Sequence, residues 1–171
     1  MQTRYTDLAA KLARHVTAPG ITPSPVDQVS LIYTTEYHGR TPVLYQPRMI
    51  VILQGHKVGY LADQVFRYDP NHYLLMTLPL PCECECFASP EQPLIGFSLE
   101  INLVTLQELL LELGDALPAP APQKSGVHSV PLSEAMFCAA ERLIDLMDKP
   151  HHARVLGPQT VREMLFYALH E

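Results

Sequence analysis

The chain has 171 residues, 47% hydrophobic and 18% charged, which is the composition of an ordinary folded protein large enough for one sizeable core. Its 18 acidic side chains outnumber 12 basic ones, and the net charge of −6 argues against a nucleic-acid footprint, since Arg40, Arg48, Lys57 and Arg67 are scattered singly. No apolar run reaches the ~18 residues of a membrane span and no signal-peptide pattern opens the chain, so a cytoplasmic location with reduced thiols is expected.

Residues 5–17 read as a short amphipathic helix, with Leu8, Leu12 and Val16 at helical spacing. The Pro-rich "APGITPSPVD" that follows must be loop or extended chain. From residue 28 to 101 the texture is that of short strands: "VSLIYTTEY", "RMIVILQGHKVGYL", "QVFRYD", "YLLMTL", "CECECF" and "LIGFSLEI". "YLADQVF" predicts a hairpin tip, and "DPNH" a turn, with Pro preset at the second position and Asn tolerant of left-handed φ. So many short strands suggest a sandwich or barrel.

After Asn102 the period changes to three or four. Asn102 is a candidate N-cap for a helix ending at Gly114, with Leu103, Leu106, Leu109, Leu110 and Leu113 on one face. A low-complexity Pro/Ala stretch over 117–122 predicts an exposed loop. A second helix is expected from Ser133 to Asp148, stopped by Pro150, and a last one from Gly157-Pro158 onward, carrying Val161, Met164, Leu165 and Ala168. "MFCAAERLIDLM" and "VREMLFYAL" hold more apolar residues than one core-facing stripe needs, so Leu143, Met147 and Leu165 are expected to form a dimer interface. The chain stops at Glu171 without a cap, which suggests a further domain downstream. The layout is α+β: an N-terminal helix and Pro-rich arm (1–27), a β-barrel (28–101) and a helical segment (102–171).

No phosphate-binding Gly loop, no G-x-S-x-G and no H-E-x-x-H occurs. A metal-dependent cupin enzyme, an isomerase or dioxygenase, would be expected to show His-x-His followed by Glu. "QGHKVGYL" has one His, and the adjacent His151-His152 point apart, as at a solvated helix start. No metal or cofactor is therefore expected, and no catalytic residue. "PCECECF" places three of the four cysteines at alternate positions, hence on one face of a strand, with Glu83 and Glu85 on the other. Alternate residues lie about 6.6 Å apart, too far for a disulfide or a shared zinc on a straight strand. The thiols are then small core hydrophobes or the lining of an internal cavity, with metal or redox work the weaker reading, and the carboxylates face out.

"TPVLYQPRMIVILQGHKVGYLADQVFRYDPNHYLLMTLPLP" closely resembles the N-terminal domain of AraC/XylS-type transcriptional regulators. The resemblance rests on Tyr45 and Pro47, on Gln54, Gly55 and Lys57, on Tyr68 and Asp69, on Tyr73 and Leu74, and on Leu80-Pro81. It continues through "LQELLLELG", "AAERLIDLMDKP" and "REMLFYAL", from about residue 28 onward. It implies a cupin-like jelly-roll barrel that binds a small-molecule effector, then helices that form a homodimer, with DNA bound only through a C-terminal helix-turn-helix domain absent from this chain. Candidate effector contacts are Gln54 and His56, expected to share a face near the end of one apolar strand, Cys82 and Cys84 after the "LPLP" bend, and, more weakly, Tyr33 and Ser98 from neighbouring strands.

Overall fold

Strand β4 (Arg48–Gln54) is buried on both faces: Met49, Val51 and Leu53 enter one cluster, Ile50 and Ile52 another. A strand buried twice belongs in the middle of three layers. The computed structural model, which describes residues 2–116 and 126–170, places it there. Its sheet has six strands in the order β1 (Gly20–Pro23), β2 (Val29–Thr34), β9 (Leu94–Glu100), β4, β7 (His72–Met76), β10 (Val127–Pro131). The facing sheet has four, in the order β3 (His38–Tyr45), β8 (Leu80–Phe87), β5 (His56–Leu61), β6 (Gln64–Tyr68). Neighbouring strands pair antiparallel throughout, and the space between the sheets is the lumen of a jelly-roll barrel. The third layer is helical. Helices α1 (Gln2–Ala13), α3 (Glu134–Met147) and α4 (Pro150–His170) cover the outer face of the six-stranded sheet.

The turns follow from local chemistry. Gly55 carries the chain from one sheet to the other at φ +76°, and a Cβ there would lie 3.0–3.1 Å from Leu94, so the corner requires glycine on two counts. The β5–β6 hairpin closes through Ala62-Asp63, with Leu61 opposite Gln64. At "DPNH" the His72 N–H donates to the Asp69 carbonyl at 3.0 Å, and the Asn71 N–H to the Asp69 side chain at 3.0 Å. Asn102 Oδ1 caps α2 (Leu103–Leu113), accepting from Val104 N–H at 2.9 Å, and Ser133 Oγ caps α3, accepting from Met136 N–H at 3.1 Å.

Several expectations change. Strand β1, formed by the Pro-rich arm, and strand β10 both lie outside 28–101 yet join the six-stranded sheet, and Leu8, Met49, Phe97, Leu143 and Leu165 share one core. The last helix starts at Pro150 and runs through Pro158. Proline does suit a first helical position, but it is Pro150 that holds it; the carbonyl that Pro158 leaves without its N–H belongs to exposed Arg154. Gly157 lies where a Cβ would come within 2.7 Å of Val26, so this stretch is a close helix contact and not a helix start. The expected dimer residues are also corrected. Leu143, Met147 and Leu165 are all buried in the chain's own core, because one face of α3 and α4 packs on the sheet and on α1 while the rest of that apolar surface packs between the two helices. The apolar face left open belongs to α2, where Leu103, Val104, Leu110 and Leu111 are exposed and only Leu109 is buried. The predicted loop over 117–122 and the terminal Glu171 lie outside the described residues. No described helix is long and apolar enough to cross a membrane.

Candidate functional site

In the four-stranded sheet, residues opposite one another share a face. Lys57 stands opposite Cys86 and Tyr68, and Gly59 opposite Cys84 and Phe66. Cys84 and Cys86 face inward into the cluster of Ile50, Ile52, Leu74 and Met76, and Cys82 packs against its edge. Glu83 and Glu85 face out, as the alternation requires. Glu83 pairs with Arg40, and Glu85 accepts from the hydroxyls of Tyr37 and Tyr60, bonds that hold its carboxyl below the ordinary glutamate range. The four cysteines are free thiols. Among the described residues no group of three or more His, Cys, Asp or Glu is placed to hold a metal ion.

The lumen is not wholly apolar. Tyr45 OH lies 3.4 Å from Tyr68 OH, Lys57 Nζ lies 3.5 Å from Tyr45 OH and 5.9 Å from the Tyr68 ring centre, and Tyr68 OH lies 3.2 Å from Cys84 Sγ. Tyr68 is fully buried and Tyr45 nearly so, and burial pushes both phenols up, so they stay neutral. Desolvation works against the Lys57 ammonium, but the neighbouring Tyr45, Cys84 and Cys86 more than offset it and raise the group above the ordinary lysine value. No Asp or Glu is among the partners of Lys57 in the described residues.

Side chains fill this lumen. The void between Tyr45, Tyr60, Phe66, Tyr68 and Cys82 is about 10 Å³, the space of a single water. A groove of about 410 Å³, lined by Pro42, Val43, Leu44, Ala62 and Pro81, shares Tyr60 and Cys82 with that void. A larger open cleft of about 740 Å³ lies between α1 and the strand turns, lined by Tyr5, Gln54, Asp69, Asn71 and Gln92.

The sequence-derived candidates are dispersed. Gln54 lines the large cleft, and its amide donates to the Pro93 carbonyl at 3.1 Å. His56 lies beyond the Gly55 corner and stacks on Phe87 with ring centres 4.5 Å apart, so the two do not share a face: they belong to different sheets. Tyr33 packs against the helix-side core and not the lumen, because its position in β2 alternates with Ile32, which enters the lumen cluster. Ser98 is buried on β9, opposite Ile50, and alternation places it on the lumen face. Cys84 touches the polar cluster, and Cys82 borders both void and groove. Lys57, Tyr45 and Tyr68 were not among the candidates, although all three stand in the motifs of the resemblance. The available signal was a lysine on the inward register of a strand.

The packing predicts an order of thiol reactivity. Burial pushes the thiols of Cys82 and Cys86 up, and Cys84 and Cys86 are each only 7% exposed. In a peptide map, a small thiol reagent should therefore label Cys82 and Cys138 well before Cys84 and Cys86. Early labelling of Cys84 would mean that the lumen stands open in solution.

The sequence matches the family described as AraC-type transcriptional regulator N-terminus over residues 25–171. A search of curated proteins gives no significant match. Among solved structures, the fold is similar to that of the apo form of a ToxT variant from Vibrio cholerae (TM-score 0.58, 6% identity, 85% of this chain and 56% of that one). A second ToxT structure from Vibrio cholerae gives a TM-score of 0.52 at 8% identity, over 68% of this chain and 46% of that one. The chain thus spans about half the length of the structures it resembles, and at such identity the likeness is one of fold alone.

Proposed function

The chain belongs to the family of AraC-type transcriptional regulator N-termini, and from that membership we propose that it senses a small-molecule effector in its barrel lumen and dimerises the regulator, with DNA contacted by another part of the protein. The observation that carries the sensing role is the Lys57–Tyr45–Tyr68 cluster: hydrogen-bonding groups held inside a barrel whose other inward residues are mostly apolar. Such a constellation offers few, convergent polar groups within an apolar wall, the ordinary anatomy of a small-molecule site. The groove beside Cys82 supplies the way in, and occupancy requires half-buried Cys82 and Phe66 to move.

The dimerising role falls to α2. Leu109 turns one face of this helix inward, while Leu103 and Val104, and two turns on Leu110 and Leu111, form a stripe along the opposite side. Glu108 and Glu112 lie between the two faces and are held by Arg162 of α4. A helix apolar on both sides is one that gets covered, and a second copy presenting the same face is the partner that closed symmetry supplies.

The sensing role is tested by melting the protein with sugars, aromatic acids and small carbonyl compounds. One class should raise the melting temperature by about 5–10 °C at a hundredfold excess over its Kd, and it should slow labelling of Cys82. A compound that stabilises without protecting Cys82 would move the site out of the lumen, to the cleft beside Gln54.

A further inference from the structure

The cleft of about 740 Å³ between α1 and the strand turns shares no residue with the lumen void or with the groove beside Cys82. Three corners of the barrel meet in its wall: Gly55 between β4 and β5, Asp69 to Asn71 between β6 and β7, and Glu91-Gln92 between β8 and β9. Tyr5 of α1 lines it too, braced edge-on against Phe137 with ring centres 4.8 Å apart. Helix α1 precedes residues 25–171, the stretch that matches the family, so this wall is not built by the family's shared sequence alone. Its charges are already answered within the chain. Asp69 accepts from Arg67 Nε at 3.1 Å and from the Asn71 N–H at 3.0 Å; burial opposes its charge, but these bonds outweigh burial and hold the carboxyl below the ordinary aspartate range. Glu91 is held below its own ordinary range by its backbone N–H and the Ser89 hydroxyl. Arg67 is the cation of the described wall, and it is paired, so an anionic ligand finds no free counter-charge there.

The carboxamides are different. Gln54 uses one N–H on the Pro93 carbonyl, at 3.1 Å, which leaves its oxygen and its second N–H. The side chains of Asn71 and Gln92 bond to no described residue, because backbone N–H groups close both turns. Each of these groups sets a donor and an acceptor side by side. A partner that satisfies both at once carries N–H and C=O on one edge, and a flat one can lay its faces on the Tyr5 ring, Leu53 and Pro70. We infer that this cleft is a second ligand site, separate from the lumen, for a small uncharged planar ring with N–H and C=O side by side, a cyclic ureide or a pyrimidine base. The carboxamides of Gln54, Asn71 and Gln92 hold its edge, and Tyr5 joins it to α1.

The test uses the whole chain with hydantoin and uracil, each compared with its 1,3-dimethyl derivative, which keeps the plane and the carbonyls but has lost both N–H groups. At least one parent compound should bind, about tenfold or more tightly than its dimethyl form, and which of them binds separates the ureide from the base. The double variant Asn71→Ala/Gln92→Ala keeps the backbone bonds of both turns, so it should melt as the wild type does and bind the same compound at least about tenfold more weakly. At a hundredfold excess of ligand over its Kd, hydrogen exchange of the α1 amides should slow about tenfold or more, because the occupant ties α1 to the corners. Binding of neither parent compound, dimethyl forms that bind as tightly, unchanged affinity in the double variant or unchanged exchange in α1 would each overturn the inference. If the variant melts low, the dimethyl comparison, made on the wild type, decides. Labelling of Cys82 should not change with these compounds; slower labelling would place them in the lumen and overturn the cleft assignment. The lumen role is judged separately, by whether some other compound protects Cys82.

Discussion

Leu143→Glu should leave no folded protein. Leu143 is fully buried between α3, α4 and the six-stranded sheet. Losing the leucine alone would cost about 2–5 kcal/mol, and an ionised carboxylate set in that apolar contact without a partner adds several more. A domain of this size has about 5–15 kcal/mol in total. Circular dichroism and urea titration should show a chain without a cooperative transition. A folded, soluble Leu143→Glu monomer would mean that α3 is an interface after all, as its sequence suggests, and would overturn the core described here.

Leu111→Glu should do the reverse. Leu111 is 83% exposed, so the substitution should change the stability of the fold by about 0.5 kcal/mol or less. In a two-fold dimer built on α2 each copy contributes the same leucine, and each would place a carboxylate in the apolar contact. Roughly 3 kcal/mol is lost from association, and Kd weakens about a hundredfold or more. Sedimentation at micromolar concentration should show wild-type dimers and Leu111→Glu monomers with the same melting curve. Wild-type protein that sediments as a monomer even at high micromolar concentration would remove the dimer reading. The two substitutions together separate apolar residues that hold the chain from those that hold its partner.

Which leucines do which was beyond the reach of spacing. The stretches "EAMFCAAERLIDLM" and "LVTLQELLLEL" are both rich in apolar residues, and periodicity shows only that such helices have faces to cover. Whether a face is covered by its own chain depends on where the chain folds back. Here α1 and α4 close over α3, while α2 is left with one side free.

What the sequence determined by itself was local. Alternation at "PCECECF" determined that thiols face in and carboxylates out, since a one-residue slip would carry two charges into the barrel. Cap chemistry placed the starts of α2 and α3 at Asn102 and Ser133, because a side-chain oxygen there meets the first free N–H groups of the helix. Only the tertiary structure decided which distant residues meet. Gln54 and His56, two apart in sequence, were parted by the Gly55 corner, which sends them to different sheets. Tyr45, Lys57 and Tyr68, 23 residues from first to last, were brought within hydrogen-bonding reach, a juxtaposition that depends on the register of β3, β8, β5 and β6 together. Strand alternation determines which face a side chain takes; only the closure of two sheets on each other determines what stands opposite it, and so whether a lysine on that face has a partner for its charge.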